Sequence, residues 1–530
     1  MKKLASILIV LSMLLTLMSI SLAKPSGTYK IFAGVTSMSP PNETKPLVQQ
    51  LNASANIEIE WECVTGDMLT ERKNLLFASN DLPDAFMAAD LKDYEIMTYG
   101  ADGLLIPLND YLVPEIMPNL CKVLEARPSI LPILTMPDGN IYTLPTVGEM
   151  GFIGDDGKNY QIDIIPQFNI INVDWLNKLK LEMPTTMDEL YDVLVAFRDQ
   201  DPNGNGKKDE IPLSFIFDNW TAGMTSFFAG FGFTDYNDPG QAAYHRALVD
   251  GQVLYNGVRD EYRDAIAYLS KWYQEGLIDI EVFSQDAAKY ISKGKNEEVI
   301  LGAYVWWEIP EVVGSDRADM YALMPMLSGP EGKLTVNLRE TAPVSRRDFA
   351  ITRKCQDPTT LLKWVDQLYD PIIGMQADYG PIGDFFEAEP DESGVYVNKI
   401  PAAGTTEGEM KEIMRLNAPI AQLSDYYGKF FYMEPRALER LDILRDFYMP
   451  YVSDPTAYPT VTYTAEETEI INDLFSDIKN VTSEMTATWM TNGNIDTEWD
   501  AYVAQLESMG LNDLLKVWQD AYNRYVTAQQ

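Results

Sequence analysis

The stretch RDFAITRKCQDPTTLLKWVDQLYD, residues 347–370, decides the architecture. It reads as strand, turn and helix, the order in which the chain also begins. TYKIFAGV (28–35) alternates like a strand, and an amphipathic helix follows near 44–53. NIEIEWECV (56–64) alternates again, with Glu58, Glu60 and Glu62 outward. GDMLTERKNLLFASN has helical spacing, and NDLPDAFMAA gives a turn and a short apolar strand. Strands alternating with helices in this way predict an α/β lobe with a largely parallel sheet.

Between these two ends lies a second region, opened by the apolar NIINV near 169–173. In PTTMDEL, Thr186 and Glu189 form a capping box just after Pro184, and the helix it starts is expected to reach about Gln200. DEYRDAIAYLSKWYQEGLID (260–279) is a strongly amphipathic helix stopped at Gly276, and EEVILGAYVWW is apolar and strand-like. In the helical C-terminus Thr464 and Glu467 cap a segment that places Ile471, Leu474, Phe475, Ile478, Met485 and Trp489 on one face. Trp175, Trp272, Trp489 and Trp499 lie on amphipathic helices and are expected in the core. At 530 residues the chain is too long for one ordinary domain. The expected fold is therefore α/β and two-lobed, with a hinge, an interlobe cleft and a helical C-terminal region. Lobe one is assigned 24–165 and 341–400, lobe two 166–340 and 401–530; such lobes close on a ligand.

MKKLASILIVLSMLLTLMSISLAKPSG opens with Lys2 and Lys3, an apolar run and Ser21-Leu22-Ala23, the pattern of a secretory signal over 1–23. Removing the two lysines takes the formal charge from −38 to −40. So acidic a body repels nucleic acid and anionic membrane surfaces. Cys63, Cys121 and Cys355 show no metal-ligand spacing, and burial as small hydrophobes is expected. The one histidine, His245, is expected on a solvated helix. It excludes two-histidine metal motifs within this chain. No nucleophile elbow, phosphate loop or dinucleotide fingerprint is present. The protein is expected outside the cytoplasm, periplasmic or secreted, without a cysteine for lipid attachment at the cleavage point.

DPNGNGKKDE (201–210) raises a cation question. Asp201, Asn203 and Asn205 alternate, Gly206 stands where a sharp turn is needed, the Lys207 carbonyl follows, then Asp209. These are hard oxygen donors at the spacing of a calcium loop. Position twelve is Pro212 in place of a bidentate Glu, and Glu210 lies two residues early. The alternative is a solvated interhelix turn, since Asp-Pro and Asn-Gly are turn dipeptides.

Several stretches carry a family resemblance: NDLPDAF, GLLIPLNDYL, MPDGNIYTLP, VDWLNKLKLEMPTTMDELYDVLVAFRDQDPNGNGKKDEIPL, EYRDAIAYLSKWYQEGLIDIEVFSQD and EWDAYVAQLESMGLNDLLKVWQDAYNRY. On these the chain resembles the extracellular solute-binding proteins of family 1, sugar-binding components of ABC importers. Within them it resembles the long subgroup that includes alginate-oligosaccharide-binding proteins. The resemblance implies a structural Ca2+ held by Asp201, Asn203, Asn205, the Lys207 carbonyl, Asp209 and Glu210. It implies an oligosaccharide ligand, an ABC permease partner and no catalysis, and a monomer is expected. Where the subgroup carries an Arg in I-R-x-D-W-L, this chain has Asn172. That, with the acidic charge, tilts the expectation to a neutral glycan.

Sugars need flat aromatic platforms and planar polar groups. The candidates are Trp306, Trp307 and Glu308 in AYVWWEIP, Asp218, Asn219 and Trp220 in DNWTAG, Tyr379 in ADYGPIGD, Tyr426 and Tyr427 in SDYYGKFFY, and Ser37 and Asp84 in the first lobe. A tandem Trp in a strand points one ring in and one out, so one of Trp306 and Trp307 is expected in the core. Two other readings remain open: a secreted glycoside hydrolase or lyase, for which no carboxylate pair stands out, and a binding protein serving a sensor.

Overall fold

The computed structural model describes residues 25–36, 38–236, 244–340, 343–400, 402, 407–454 and 457–528. The signal segment and Ser37 lie outside the described residues. The described residues of Met1–Val147 with Ser345–Tyr432 form one compact unit, and those of Gly148–Val344 with Met433–Gln530 form a second. The chain thus crosses between units three times.

Ten strands build the two larger sheets: β1 (Thr28–Val35), β2 (Glu58–Thr65), β3 (Ala85–Met87), β4 (Thr143–Gly148), β5 (Phe168–Asn172), β6 (Ile211–Ser214), β7 (Leu301–Trp306), β8 (Tyr321–Leu323), β9 (Val344–Ile351) and β10 (Ala421–Gln422). In the first unit the order is β10-β4-β9-β3-β1-β2. β1 runs parallel to β2 and to β3, while β9 is antiparallel to β3, so the sheet is mixed. β9 belongs to the stretch quoted first. After it Asp357 caps the helix Pro358–Asp366, its carboxylate accepting the Thr360 N–H at 3.1 Å. β1 is deeply buried at Ile31, Phe32 and Ala33, as a central strand must be. β2 is the edge and alternates, with Glu58 and Glu60 exposed and Ile59 buried. Charge on an edge strand blocks further strand addition. The expectation that all three cysteines are buried fails at Cys63. It sits near the end of this edge strand, where cover runs out, and is exposed; Cys121 is intermediate and Cys355 buried.

In the second unit the order is β8-β5-β7-β6. β7 is buried along its whole length, pairs parallel with β6 and antiparallel with β5. Both capping boxes form: the Thr186 hydroxyl accepts the Glu189 N–H at 3.0 Å, and Thr464 accepts that of Glu467 at 3.2 Å. They start the helices Met187–Asp199 and Ala465–Asn492. The C-terminal helices are part of the core: Ile478, Trp489, Trp499 and Trp518 share one apolar cluster with Trp175, Leu269 and Trp272. All four tryptophans expected inside are buried.

Candidate functional site

Because β6 and β7 are parallel, the segments that follow them emerge at the same end of the second sheet. Trp220 follows β6 and Trp307 follows β7. Their rings meet edge to face, centroids 5.8 Å apart at 61°. Both are partly exposed. Trp306, one residue earlier, is 9% exposed, stacks on Tyr290 at 5.4 Å and donates its indole N–H to Glu311 at 2.7 Å. β7 is buried on both faces and ends at Trp306, so Trp306 is the core ring and Trp307, one residue past the strand, is the surface ring.

Each surface indole is backed by a guanidinium. Arg339 lies over Trp220 at 4.4 Å and pairs with Asp163. Arg440 lies over Trp307 at 3.3 Å and over Phe168 at 4.2 Å. It is 2% exposed, and its N–H groups donate to the carbonyls of Ile162 (3.0 Å), Trp307 (2.6 Å) and Ile165 (2.8 Å). Burial lowers its pKa to about 9. This geometry clamps Trp307 by ring and backbone together while its side chain stays partly exposed. Beside it Glu308 is held above the usual carboxylate range by burial, although Arg436 is 3.5 Å away. Arg436 also reaches Glu434 at 3.1 Å and Glu311 at 3.6 Å.

The loop carrying Trp220 is built by side chains. Asn219 Oδ1 accepts N–H groups from Thr221 and Ala222, each at 3.0 Å. Gln167 donates to the carbonyls of Asn219 (3.3 Å) and Trp220 (3.1 Å). Asp218 has φ +56° and accepts from the Tyr244 hydroxyl. The expectation of a solvated helix for His245 is overturned: it precedes a strand, is 1% exposed, and its Nδ1 lies 2.6 Å from Asp235. A buried carboxylate partner offsets the cost of burying the imidazole.

Asp84, Tyr379, Tyr426 and Tyr427 lie in the first unit. Asp84 precedes β3, at the amino end of the strand; it accepts the Lys30 N–H at 2.7 Å and so stitches β1 to β3. Tyr379 is 2% exposed, packed on Phe385 and Phe386 with Lys411 4.0 Å over its ring. Tyr426 and Tyr427 are partly exposed and pack on Phe430 and Phe431. The same unit holds a cavity of about 140 Å³ lined by Pro40, Lys45, Gln376, Asp384 and Met414. Burial lowers Lys45 there to about 8, and its ammonium donates to Ser39 (2.8 Å) and the Arg415 carbonyl (2.5 Å). Lys45, Arg339, Arg440 and Gln167 were missed from sequence. Each works through partners remote in the chain, and no local pattern marks them.

In the loop after Met187–Asp199, Asp201 has φ +47° and accepts the N–H groups of Gly204 (3.1 Å) and Gly206 (3.0 Å). The Asn203 and Asn205 amides both turn their NH2 groups to Asp209, at 3.0 and 3.1 Å, and Lys207 N–H donates to Asn205 Oδ1 at 2.8 Å. The three acids do not gather as a metal-type cluster among the described residues. Yet Glu210 Oε1 is buried without a partner there, and burial, with Asp209 and Asp201 adding like charge, raises its pKa. A hard cation fits this donor set: it would pair the orphaned oxygen, and rotating the two amides would turn carbonyl oxygens to it.

Residues 37–372 match the profile of the bacterial extracellular solute-binding protein family. The chain is similar to the fructooligosaccharide ABC transporter substrate-binding protein FusA of Streptococcus pneumoniae serotype 4, at 36% identity over 504 residues, 94% of this chain and 90% of that protein. Its structure is similar to FusA in complex with kestose, with a TM-score of 0.86 and 35% identity over 95% of this chain and all (100%) of that one. An EF-hand mutant of FusA in complex with fructo-nystose gives the same TM-score, 0.86, identity, 35%, and coverage, 95% and 100%. The alginate-binding protein AlgQ2, at 23% identity and a TM-score of 0.70 over 95% of this chain and 99% of that one, shares the fold.

Proposed function

Because the chain belongs to the bacterial extracellular solute-binding protein family, we propose that it is the extracytoplasmic binding component of an ABC importer, and that its cargo is a neutral oligosaccharide of fructose units. The observation that carries the reading is the pair of surface indoles, Trp220 and Trp307, set 5.8 Å apart and each backed by a guanidinium. Indole faces take the C–H faces of sugar rings, and the flanking Glu308 and Arg436 offer hydrogen-bond partners to hydroxyls. The similarity to FusA supports fructose units as the cargo. Loading changes no bonds; the permease receives the sugar intact. The N-terminal stretch acts as a secretion signal, and the protein works as a monomer.

Asp201, Asn203, Asn205, the Lys207 carbonyl, Asp209 and Glu210 hold a structural Ca2+, supported by the orphaned Glu210 oxygen and by the EF-hand named for the FusA variant. The ion's role is to tie the loop between the helix and β6.

Calorimetric titration with kestose and nystose tests the cargo. Saturable heat is expected from these and none from oligogalacturonate, with no shortened product on chromatography afterwards. Heat from uronic oligosaccharides alone would discard the neutral-sugar reading, and cleaved product would make the protein an enzyme.

A further inference from the structure

Next to the Trp220 loop, within the second unit, lies a small cavity of about 20 Å³. Gln167, Asp218, Asn219, Asp235, Tyr244 and His245 are among the polar residues that line it. A space of this size admits one water-sized group. Most of the polar atoms around it are already engaged. Gln167 donates to the carbonyls of Asn219 and Trp220 and accepts from Thr225 and Ser226. Asn219 Oδ1 is used within its own turn. His245 differs. Its Nδ1 faces the Asp235 carboxylate at 2.6 Å, and its Nε2, in a side chain 1% exposed, has no partner among the described residues. A carboxylate only accepts, so the Nδ1 proton goes to Asp235. Nε2 is then the one polar atom of the ring left open to a hydrogen bond from an incoming group. Two residues lining this cavity, Asp218 at φ +56° and His245 at φ +61°, have left-handed backbone angles, a region where Asp and His are enriched among non-glycine residues.

We propose that this cavity is a specificity pocket that takes one primary hydroxymethyl arm of the bound oligosaccharide, its hydroxyl hydrogen-bonded to His245 Nε2. The inference rests on the oligosaccharide reading above. A primary hydroxyl is the sugar oxygen carried on a rotatable exocyclic carbon, so it enters a narrow space without drawing the ring in. A secondary hydroxyl is fixed to the ring, which is too large. A carboxylate would set acceptor against acceptor at Asp218. Fructofuranosyl units fit this chemistry, since an unsubstituted one carries two such arms.

The chain has a single histidine, so protein made with 15N-labelled histidine and no histidine tag gives one Nε2 resonance. It is titrated with kestose while calorimetry follows binding in parallel. The Nε2 resonance is expected to move at saturation. Among kestose analogues with one primary hydroxyl replaced by hydrogen, one is expected to bind about tenfold more weakly (about 1.4 kcal/mol) and to leave Nε2 unmoved. Binding heat with an unmoved Nε2 means that water keeps the cavity; that overturns the pocket and leaves the oligosaccharide reading standing. No heat from kestose or nystose overturns both.

Discussion

Two adjacent tryptophans with opposite surroundings give the sharpest residue-scale test. Trp307 is partly exposed, while Trp306 is buried against Tyr290. Trp307→Ala is expected to weaken oligosaccharide binding by about thirtyfold or more in calorimetry, the size typical of an aromatic anchor. Trp306→Ala is expected instead to lower stability by about 3–5 kcal/mol in urea unfolding, through the cavity it leaves. Reversed outcomes would move the ligand to another face. Arg440 carries a different burden: three carbonyls lose their donor if it is removed. Arg440→Met should lower stability by at least about 2 kcal/mol. Arg440→Lys should not restore it, because an ammonium lacks the plane that sits between two rings. A lysine variant as stable as the parent would argue against the stacked clamp.

The 201–210 loop is where protonation and a cation meet at the scale of an element. Burial raises the folded-state pKa of Glu210 above its ordinary 4.5. Without a cation the native state therefore holds this proton more tightly than the unfolded chain. The Glu210 contribution to stability then falls as pH rises from about 4.5 through the raised value. Calcium reverses that sign by favouring the carboxylate. Chelation is thus expected to lower Tm more at pH 7.5 than at pH 5, measured by scanning fluorimetry with and without EDTA. In Glu210→Gln the chelator effect should largely vanish while the chelated protein is no less stable than the parent. A chelator effect that is equal at both pH values would exclude Glu210 from the site. Elsewhere a cap sets the register of a long helix: Thr464→Ala removes the acceptor for the Glu467 N–H and should cost about 1 kcal/mol in urea unfolding.

Taken whole, the molecule is dominated by like charge, with 79 acidic against 41 basic side chains. Many of the cations are already committed to ion pairs, such as Arg246 with Glu340 and Arg346 with Asp93. The excess carboxylates repel one another across the surface, and salt screens this over about 10 Å at 0.1 M. Raising sodium chloride from 10 to about 300 mM is therefore expected to raise Tm. A fall with salt would mean that the ion pairs outweigh the repulsion. Saturating cargo should add further stability, about 2.7 kcal/mol at one hundred times Kd, because it binds only the folded chain.

The amino-acid sequence by itself determined what is encoded within a turn or two of chain. The capping boxes at Thr186 and Thr464, the stop at Gly276, the Glu58–Glu60 face of β2 and the four helical tryptophans are local signals, and each forms as read. One ring of the Trp306–Trp307 pair is core, as expected, but the reason is where β7 ends: the strand is buried on both faces through Trp306, and Trp307 lies past it. Tertiary structure decided the rest. Only the parallel pairing of β6 and β7 brings Trp220 to Trp307, and Arg440 reaches Trp307 from 133 positions away. His245 lies in a polar stretch, yet burial and Asp235 make it a core residue; Asp84 looks like a cleft acid, yet it binds a strand backbone. Short-range periodicity records which face of an element is apolar. Which faces meet, and which polar groups are trapped where they meet, depends on contacts between segments far apart in the chain.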